Sequence, residues 1–421
     1  YVQLENQRLI EARPRSGFYV CPRHSVRLNE PVASNRTPAA TGLRIFDGLM
    51  PMARDMIDPS LVPLGGATPS PKLLPLDKLV RITSSMARNS TQASMSYDPA
   101  PGCLPLRKEL SRRSLDWGCS LTTDEFIITN GASEALNLAL HATTRPGDTV
   151  LVESPTYYGL LHIIAQLNRK VIAIPSSARD GILIDAAASA MKRHRVGAMV
   201  ITPNFANPTG SLMPESNRRD LLALAGKHGI PLIEDDIYGD LPHEGERPRC
   251  LKALDTCGGV ILCGSFSKTL APGLRVGYIA GGLYHQKILR MKTALNLGCA
   301  SLPPLTVAEF LRTGGYERHL RKLRHTFRQH VCKMREALAG HFPDGTRVSN
   351  PSGGFVLWVE LKGKSDALLA FEEARAAGIS IAPGPLFSAT GEFKNCLRLS
   401  CGFPWSERTE AALKTLARIV S

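Results

Sequence analysis

The chain has 421 residues, 43% of them hydrophobic and 21% charged, with 51 basic and 37 acidic side chains and a net charge of +14. This ordinary composition excludes collagen-like, coiled-coil and wholly disordered proteins, and the positive charge is compatible with anionic ligands or nucleic acid. No run of about 18 apolar residues predicts a membrane span, and ten cysteines without a Cys-x-x-Cys pair favour a reduced, cytoplasmic protein over a disulfide or zinc scaffold.

The N-terminal region carries a helical pattern and then a predicted hairpin. Residues 1–8 read as the end of a helix, and residues 9–12 and 18–20 read as two strands around a Pro-Arg-Ser-Gly turn. Because the chain starts inside this helical pattern and without a methionine, we expect its natural beginning to lie further upstream.

Prolines recur through residues 21–75 and separate short irregular pieces. They are Pro22, Pro31, Pro38, Pro51, Pro59 and Pro63. Such spacing is typical of a linker or a wrapping arm rather than a packed layer. We therefore expect a linker over residues 21–60 and an N-terminal arm over residues 61–95.

From about residue 100, apolar runs of strand length alternate with segments of helical period. The predicted strands are 126–129, 149–153, 170–174, 198–202, 231–235, 260–264 and 276–280, and the predicted helices include 133–141, 158–167, 185–194 and 215–228. Strands that are continuously apolar are buried on both faces, as in a parallel sheet covered by helices. The fold class is therefore α/β, with a mostly parallel central sheet in a large domain over residues 96–310.

Residues 311–421 predict a smaller α+β C-terminal domain. Long charged helices come first, followed by strands near 354–361, 379–382 and 396–400. Three histidines, His319, His325 and His330, lie in the charged helical region, and their pattern predicts solvated side chains.

Candidate ligand-binding residues follow the ends of the predicted strands. They are Gly131, Ala132, Ser133, Tyr157, Asn207, Asp235, Tyr238, Ser265, Ser267, Lys268 and Arg275. Taken singly, each has an ordinary role, since Asn-Pro-Thr-Gly is a common turn and a lone aspartate at a strand end is usually a cap. The carboxyl ends of parallel strands meet at one edge, where open α/β sheets bind ligands. Their joint position on this edge favours a single ligand.

The ring and aldehyde of pyridoxal phosphate fit the catalytic members of this set. The aldehyde needs a lysine amine for a Schiff base, which Lys268 supplies. The pyridine nitrogen needs a carboxylate partner to stay protonated, and Asp235 is placed for it. Asn207 and Tyr238 are suitable donors to the phenolic oxygen, and Tyr157 is an aromatic cover for the ring.

The phosphate of the same cofactor fits the remaining members. Backbone N–H groups at residues 131–133 open a predicted helix, and helix N-termini bind phosphate. Ser265, Ser267 and Arg275 add hydroxyl and guanidinium donors.

Together these segments resemble the fold-type I, class I/II aminotransferases that depend on pyridoxal phosphate. The matching motifs are Thr-Asn-Gly-Ala-Ser at 129–133, Pro-Thr-Tyr at 155–157, Asn-Pro-Thr-Gly at 207–210, Glu-Asp-Asp-Ile-Tyr at 234–238, and Ser-Phe-Ser-Lys at 265–268 with Arg275. The resemblance runs from about residue 60 to the end of the chain. It implies that Arg398 binds the substrate carboxylate, with Asn207 and Gly66 beside the substrate. It also implies that Tyr97 reaches the phosphate of a partner subunit, and hence a homodimer.

The first twenty residues are similar to the last helix and wing of a GntR-type winged helix, and we interpret residues 1–20 as its remnant. A linker and an aminotransferase-like domain then follow, as in MocR-type transcriptional regulators. Most of the winged helix, including the start of the helix that reads base edges, is absent here, so we expect this chain to contact DNA only through phosphates, for example at Arg13 and Arg15. The alternative is the N-terminal arm of a plain aminotransferase.

Two functions remain open from the sequence. The first is the effector domain of a MocR-like regulator with transaminase-type chemistry on an amino acid and a 2-oxo acid. The second is a metabolic α-aminotransferase of the broad aminoadipate or aromatic type. In both, Lys268 acts first as general base and then as general acid.

Other enzyme classes are disfavoured by missing motifs. A Ser-x-x-Lys acyl-transfer site at residues 265–268 would need Ser-Asp-Asn and Lys-Thr-Gly elements, which do not occur. A P-loop ending at Gly363-Lys364-Ser365 would need a glycine where Trp358 stands. The sequence also has no His-Glu-x-x-His motif, so we expect no metal site.

Overall fold

A computed structural model describes most of the chain. The described residues are 10–13, 17–20, 28–34, 38–43, 49–55, 57–89, 91–363 and 365–421. The predicted helix over residues 1–8 and the turn residues 14–16 lie outside them. The two strands of the predicted hairpin are confirmed as an antiparallel pair, Ile10–Arg13 and Gly17–Val20.

The strands and helices are numbered in chain order. The strands are Ile10–Arg13 (β1), Gly17–Val20 (β2), Ala40–Thr41 (β3), Val62–Pro63 (β4), Phe126–Thr129 (β5), Thr149–Ser154 (β6), Lys170–Ser177 (β7), Gly181–Ile182 (β8), Val196–Ile201 (β9), Leu232–Asp235 (β10), Val260–Ser265 (β11), Gly277–Ala280 (β12), Arg347–Val348 (β13), Val356–Glu360 (β14), Ile379–Ser380 (β15), Ala382–Pro383 (β16) and Cys396–Ser400 (β17). The helices are Leu49–Asp55 (α1), Leu76–Asn89 (α2), Thr91–Met95 (α3), Leu104–Ser114 (α4), Ala132–Thr143 (α5), Tyr158–Gln166 (α6), Ile184–Arg193 (α7), Glu215–His228 (α8), His285–Asn296 (α9), Leu302–Arg312 (α10), Gly315–His341 (α11), Ala367–Ala376 (α12) and Glu407–Ile419 (α13).

The central sheet has the strand order β3-β7-β6-β9-β10-β11-β12-β5, with β8 beside β7. Its middle strands β7, β6, β9, β10 and β11 run parallel, whereas β12 is antiparallel to both of its neighbours. The predicted α/β class with a mostly parallel sheet is confirmed. Since β10 and β11 are adjacent and parallel, Asp235 and the segment after Ser265 meet at the same edge.

Alternate residues of the strands face two different apolar layers. In β6, Val150 and Val152 pack in the layer that contains Leu136 of α5, whereas Leu151 packs in the layer that contains Ala187 of α7. All of these side chains are buried. Because side chains alternate along a strand, burial on both faces requires the continuous apolar runs seen in the sequence.

The C-terminal region forms a second, four-stranded sheet with the order β13-β14-β17-β16. The 27-residue helix α11 shares an apolar core with this sheet, to which it contributes a stripe at helical spacing that consists of Leu320, Leu323, Phe327, Val331 and Met334. The predicted strand at 379–382 is divided, because β15 pairs with β4 and β16 pairs with β17.

The segment after residue 38 is more ordered than the proline spacing predicts. Strand β3 pairs antiparallel with β7 at the edge of the central sheet, and β4 pairs parallel with β15. Helix α1 ends at Asp55, whose buried carboxylate accepts a 2.9 Å bond from Arg375 Nε. The prediction of an irregular segment was wrong at these points, since short backbone pairings leave no periodic signal in the sequence.

Two of the three histidines predicted to be solvated are half-buried. His319 Nε2 lies 2.7 Å from the Thr269 carbonyl oxygen, and His330 Nδ1 lies 3.2 Å from the Cys401 carbonyl oxygen. His325 is exposed, as predicted. Among the helices of the described residues, none combines the length and apolar character needed to cross a bilayer.

Candidate active site

A cavity of about 270 Å³ opens at the carboxyl ends of the central strands. Ten of the residues singled out in the sequence line it, namely Ala132, Ser133, Tyr157, Asn207, Asp235, Tyr238, Ser265, Ser267, Lys268 and Arg275. Five further residues complete the lining, namely Ala67, Thr68, Leu136, Tyr158 and Ile237. The sheet edge therefore gathers the predicted set in one place.

Lys268 lies in the turn that follows β11. Its Nζ donates a 2.7 Å hydrogen bond to the Ala67 carbonyl oxygen. Burial, together with the positive charge of Arg398, lowers the pKa of Lys268 from 10.5 to about 8. A substantial fraction of the amine is therefore neutral and nucleophilic near physiological pH.

Asp235 is the last residue of β10 and lies opposite Cys263 of β11. Its Oδ1 atom is buried, and within the described residues it has no hydrogen-bond partner. Burial and the neighbouring Asp236 raise the pKa of the Asp235 carboxyl to about 7. A buried carboxylate oxygen without a partner is uncommon and needs an explanation; a cationic N–H group in the cavity would satisfy it.

A cluster behind Asp235 keeps the strand end rigid. Asp236 accepts a 2.8 Å bond from Asn204 Nδ2 and pairs with Arg247. Arg247 also pairs with Asp240 at 2.6 Å. Although burial opposes it, Arg113 and Arg247 lower the pKa of Asp240 to about 2, so this carboxylate stays charged.

One end of the cavity is rich in anion-binding groups. Gly131 precedes α5 with φ of 79°, and a side chain there would overlap the Arg275 guanidinium. Arg275 donates to the Asn130 carbonyl oxygen at 3.1 Å and to Ser267 Oγ at 3.3 Å. Ser265 Oγ lies 2.8 Å from Ser267 Oγ. The hydroxyls, the guanidinium and the first N–H groups of α5 thus meet at one point.

Arg398 of β17 contributes from the C-terminal sheet and is completely buried. Its Nη1 donates to Asn207 Oδ1 at 3.3 Å, and its Nη2 donates to the Gly65 carbonyl oxygen. No carboxylate of the described residues pairs with it, and its Nε has no partner among them. Burial lowers its pKa. A buried guanidinium without a counter-ion is suited to receive a carboxylate ligand.

Aromatic rings form the wall between these two ends. The Tyr157 and Tyr158 rings are 4.9 Å apart, and Tyr158 meets the Phe387 ring edge-on at 5.5 Å. The Thr156 N–H donates to the Phe387 carbonyl oxygen at 3.0 Å, which joins this turn to the C-terminal region. Burial raises the pKa values of Tyr157 and Tyr238, so both hydroxyls remain neutral donors. The Tyr238 hydroxyl is buried and unpartnered within the described residues.

A sequence model of aminotransferase class I and II matches residues 72–415. The chain belongs to this family. The cofactor of this aminotransferase is therefore pyridoxal 5'-phosphate, and the fold-type I prediction is confirmed.

Several relatives and solved structures are similar to this aminotransferase. The uncharacterized HTH-type transcriptional regulator YjiR of Escherichia coli K12 is 36% identical over 100% of this chain and 89% of its own length. The 2-aminoadipate transaminase of Thermus thermophilus is 31% identical over 81% of this chain and 85% of its own length. The crystal structure of LysN, the α-aminoadipate aminotransferase of the same organism complexed with N-(5'-phosphopyridoxyl)-L-leucine, has a TM-score of 0.82 and 29% identity, and the match covers 88% of this chain and 94% of that one.

The cavity fits the cofactor on observations of this structure alone. The unpartnered Asp235 oxygen matches a protonated ring nitrogen, and the unpartnered Tyr238 hydroxyl matches the phenolic oxygen. Lys268 lines the same cavity, and Arg275 with the start of α5 would hold the phosphate at its anion-binding end.

Four predicted residues lie outside the cavity lining, and two of them border it. Gly131 packs directly against the Arg275 guanidinium, and Arg398 bonds to Asn207. Gly66 is buried between Gly65 and Ala67, whose carbonyl oxygens accept the bonds from Arg398 and Lys268.

Tyr97 is the fourth of these residues and lies apart from the cavity. It is 88% exposed and lines a separate cavity of about 470 Å³ formed by residues 95–98 and 296–302.

Sequence reasoning missed groups that act through the backbone or through neighbours in space. The carbonyl oxygens of Gly65 and Ala67 carry no side-chain signal. Tyr158 could have been found because it directly follows Tyr157.

Glu153 ends a predicted strand, but its carboxyl lies outside the cavity lining and accepts a 2.9 Å bond from the Thr202 N–H. Burial and the neighbouring Asp235 raise the pKa of Glu153 to about 8.

The lowered pKa of Lys268 predicts how cofactor attachment depends on pH. Only the neutral amine attacks an aldehyde, so the attachment rate should rise with pH and level off above a pKa of about 8 rather than 10.5. Arg398→Met should move this plateau to higher pH, since it removes a positive neighbour. Stopped-flow absorbance of the cofactor-free protein with pyridoxal phosphate measures the rate; a rise that continues to the ordinary lysine value would contradict the assignment.

Proposed function

We propose that this chain is the pyridoxal phosphate-binding, aminotransferase-like domain of a MocR-type transcriptional regulator, and that it carries out transaminase-type chemistry on an amino acid. The observation that carries the proposal is a single cavity lined by Lys268 and by Asp235, whose buried Oδ1 atom has no partner among the described residues. Arg398, which pairs with no carboxylate of those residues, borders this cavity and bonds to Asn207 of its lining. These are the groups that an amino acid, a cofactor aldehyde and a pyridine ring require.

In this proposal each residue has a defined role. Bound pyridoxal phosphate supplies an aldehyde and an electron-accepting ring. Lys268 takes the Cα proton of the amino acid and returns a proton as the general acid. Asp235 keeps a negative charge opposite the ring nitrogen, and Arg398 with Asn207 orients the substrate carboxylate. Tyr157 covers the ring and excludes water from it.

The remaining roles concern the phosphate and the subunit arrangement. We assign phosphate binding to Ser265, Ser267, Arg275 and residues 131–133. We also propose a homodimer in which Tyr97 completes the partner's phosphate site. Exposed apolar side chains around Tyr97 support this arrangement, including Met95 (74% exposed), Leu295 (61%) and Leu297 (39%).

The regulator assignment is supported by relatives that span the whole chain. The match to YjiR extends over residues 1–71, ahead of the aminotransferase-family region, and this part includes the β1–β2 hairpin. In this view residues 1–20 belong to a winged helix, 21–60 to a linker, 61–95 to an arm, 96–310 to the large domain and 311–421 to the small domain. DNA would be bound through a winged helix that lies mostly outside this chain. The alternative is a metabolic α-aminotransferase; the 31% identity to 2-aminoadipate transaminase is consistent with it but is lower than the 36% identity to YjiR.

The test is conversion of the protein-bound cofactor by amino acids that include 2-aminoadipate, leucine and phenylalanine. We expect the aldehyde-form absorbance to convert to the amine form with at least one of them. Arg398→Met should raise the amino-acid concentration needed for half-maximal rate by about tenfold to a hundredfold, because a charge-assisted carboxylate contact is lost.

Adding 2-oxoglutarate then separates the two functions. Slow or single conversion, combined with sequence-specific DNA binding of the full-length gene product that changes with the amino acid, supports the regulator. Sustained multiple turnover without any such DNA binding would favour the metabolic enzyme. No cofactor band in the purified protein would reject both.

A further inference from the structure

Glu134 lies in the first turn of α5, next to the anion-binding end of the cavity but outside its lining. Its Oε2 atom accepts a 2.6 Å bond from the Asn130 N–H and a 2.8 Å bond from Lys292 Nζ. Its Oε1 atom accepts a 2.6 Å bond from Asn296 Nδ2. One carboxylate therefore ties the turn before α5 to two residues of α9.

The Glu134–Lys292 pair is a buried ion pair. The Lys292 side chain is 1% exposed and that of Glu134 is 11% exposed. A lysine is almost never fully buried unless it is paired, and removal of one partner leaves an uncompensated charge. The pair therefore holds its geometry tightly, in contrast to an ion pair in solvent.

The Asn130–Gly131 turn is held from both sides. Its Asn130 carbonyl oxygen accepts the bond from Arg275 Nη2, while the Asn130 N–H is bound by Glu134. Arg275 is one of the proposed phosphate ligands, and the N–H groups that follow Gly131 are others. We therefore expect a substitution of Glu134 to shift the phosphate donors, although Glu134 itself does not line the cavity.

Glu134 is also connected, through its bond with Asn296, to the segment that carries Tyr97. Asn296 is followed by Leu297, which has a positive φ of 60°, and the Leu297 carbonyl oxygen accepts a 2.8 Å bond from the Ala100 N–H. Gly298 pairs with Pro99, and its Cα hydrogen faces the Asp98 backbone with no room for a side chain.

A second bond fixes the start of the same segment, since Ser301 Oγ donates to the Ser96 carbonyl oxygen at 2.9 Å. Tyr97 is thereby held on both sides, although its own side chain is exposed. Contacts with residues 296–301 therefore fix the position of the backbone that carries Tyr97.

We infer that Glu134 is a positioning residue that joins two parts of the phosphate site: the Asn130–Gly131 turn of its own subunit and the Tyr97 segment that enters the partner's site. The inference rests on the proposed cofactor function and on the proposed homodimer. In the dimer, each Glu134 shapes the phosphate contacts of both subunits, directly in its own and through Tyr97 in the other.

The test compares pyridoxal phosphate with pyridoxal, which lacks the phosphate. Glu134→Gln places an amide donor against Lys292 or Asn296, so we expect about tenfold weaker binding of pyridoxal phosphate, as for loss of a charge-assisted bond. Pyridoxal affinity should stay unchanged. Lys292→Met should act in the same direction. Glu109→Gln is the control, since Glu109 is also a helical glutamate with a basic partner, here Arg112, and its side chain is 12% exposed, close to the 11% of Glu134. Its affinities for both aldehydes should equal those of the unaltered protein.

A double-mutant cycle with Tyr97→Phe tests the link between the subunits. If Glu134 positions Tyr97, the combined loss of affinity should be smaller than the product of the two single losses. If the combined loss of affinity equals the product of the two single losses, Glu134 does not position Tyr97 and this part of the inference is overturned. An equal loss for pyridoxal in Glu134→Gln shows a general structural effect and overturns the positioning role.

Failure of the inference is distinguishable from failure of the proposed function. If the unaltered protein takes up neither aldehyde, the proposed function fails and this inference fails with it. If the unaltered protein binds pyridoxal phosphate and Glu134→Gln binds it equally well, only the inference fails.

Discussion

Lys268→Ala is expected to abolish covalent attachment of the cofactor and to slow proton transfer at the substrate Cα by roughly 10³-fold, the usual contribution of a positioned general base. Within the described residues, Lys268 is the one lysine of the cavity lining. Its amine is close to half neutral near pH 8 because burial and Arg398 disfavour its charge. Alanine removes both the nucleophile and the proton carrier while leaving the cavity walls in place.

The measurement is absorbance before and after borohydride reduction, followed by mass mapping of the labelled peptide. The unaltered protein should carry the label on Lys268, and the variant should carry none. Lys192→Ala, which removes an exposed lysine of α7, should leave label and rate unchanged. A reducible adduct that persists in Lys268→Ala would show that another amine holds the cofactor.

Asp235→Asn is expected to have the second-largest effect, about a hundredfold lower rate of cofactor conversion by an amino acid, as for a lost buried ionic hydrogen bond. Asparagine has the same shape but no charge, so the pyridine nitrogen loses the partner that keeps it protonated. The expectation rests on the Oδ1 atom of Asp235, which has no hydrogen-bond partner among the residues that the structure describes. The ring then withdraws electrons less strongly from the Cα carbon.

Glu153→Gln is the matched control for this variant. Glu153 is also buried near the sheet edge, and its pKa of about 8 lies above the value of about 7 for Asp235, so a larger share of its carboxyl is protonated at neutral pH. Replacing it with a neutral amide should therefore change the rate little. Single-turnover kinetics at saturating amino acid measure both variants. An equal loss in the two would show that any buried carboxyl is needed for packing and would remove the special role of Asp235.

Much of the site was predictable because the chemistry lies where strands end. Continuous apolar runs located the parallel strands, and the residues that follow them had to meet at one edge, which is why Asp235 and Lys268 share a cavity. The strand β12 was predicted, but its antiparallel direction within the sheet was not predictable, and neither was the sheet-edge strand β3. Both depend on which strand becomes a neighbour in space, and local periodicity does not encode that choice.

The sequence by itself predicted the family, the cofactor and most of the side chains that line the cavity, because these depend on residue type and on order along the chain. Only the tertiary structure decided the contacts that tune them. Arg398 reaches the cavity from a different sheet, and Glu134 binds residues more than 150 positions away in α9. Such contacts arise from packing between elements far apart in the chain, and packing energy depends on three-dimensional complementarity that no local pattern records.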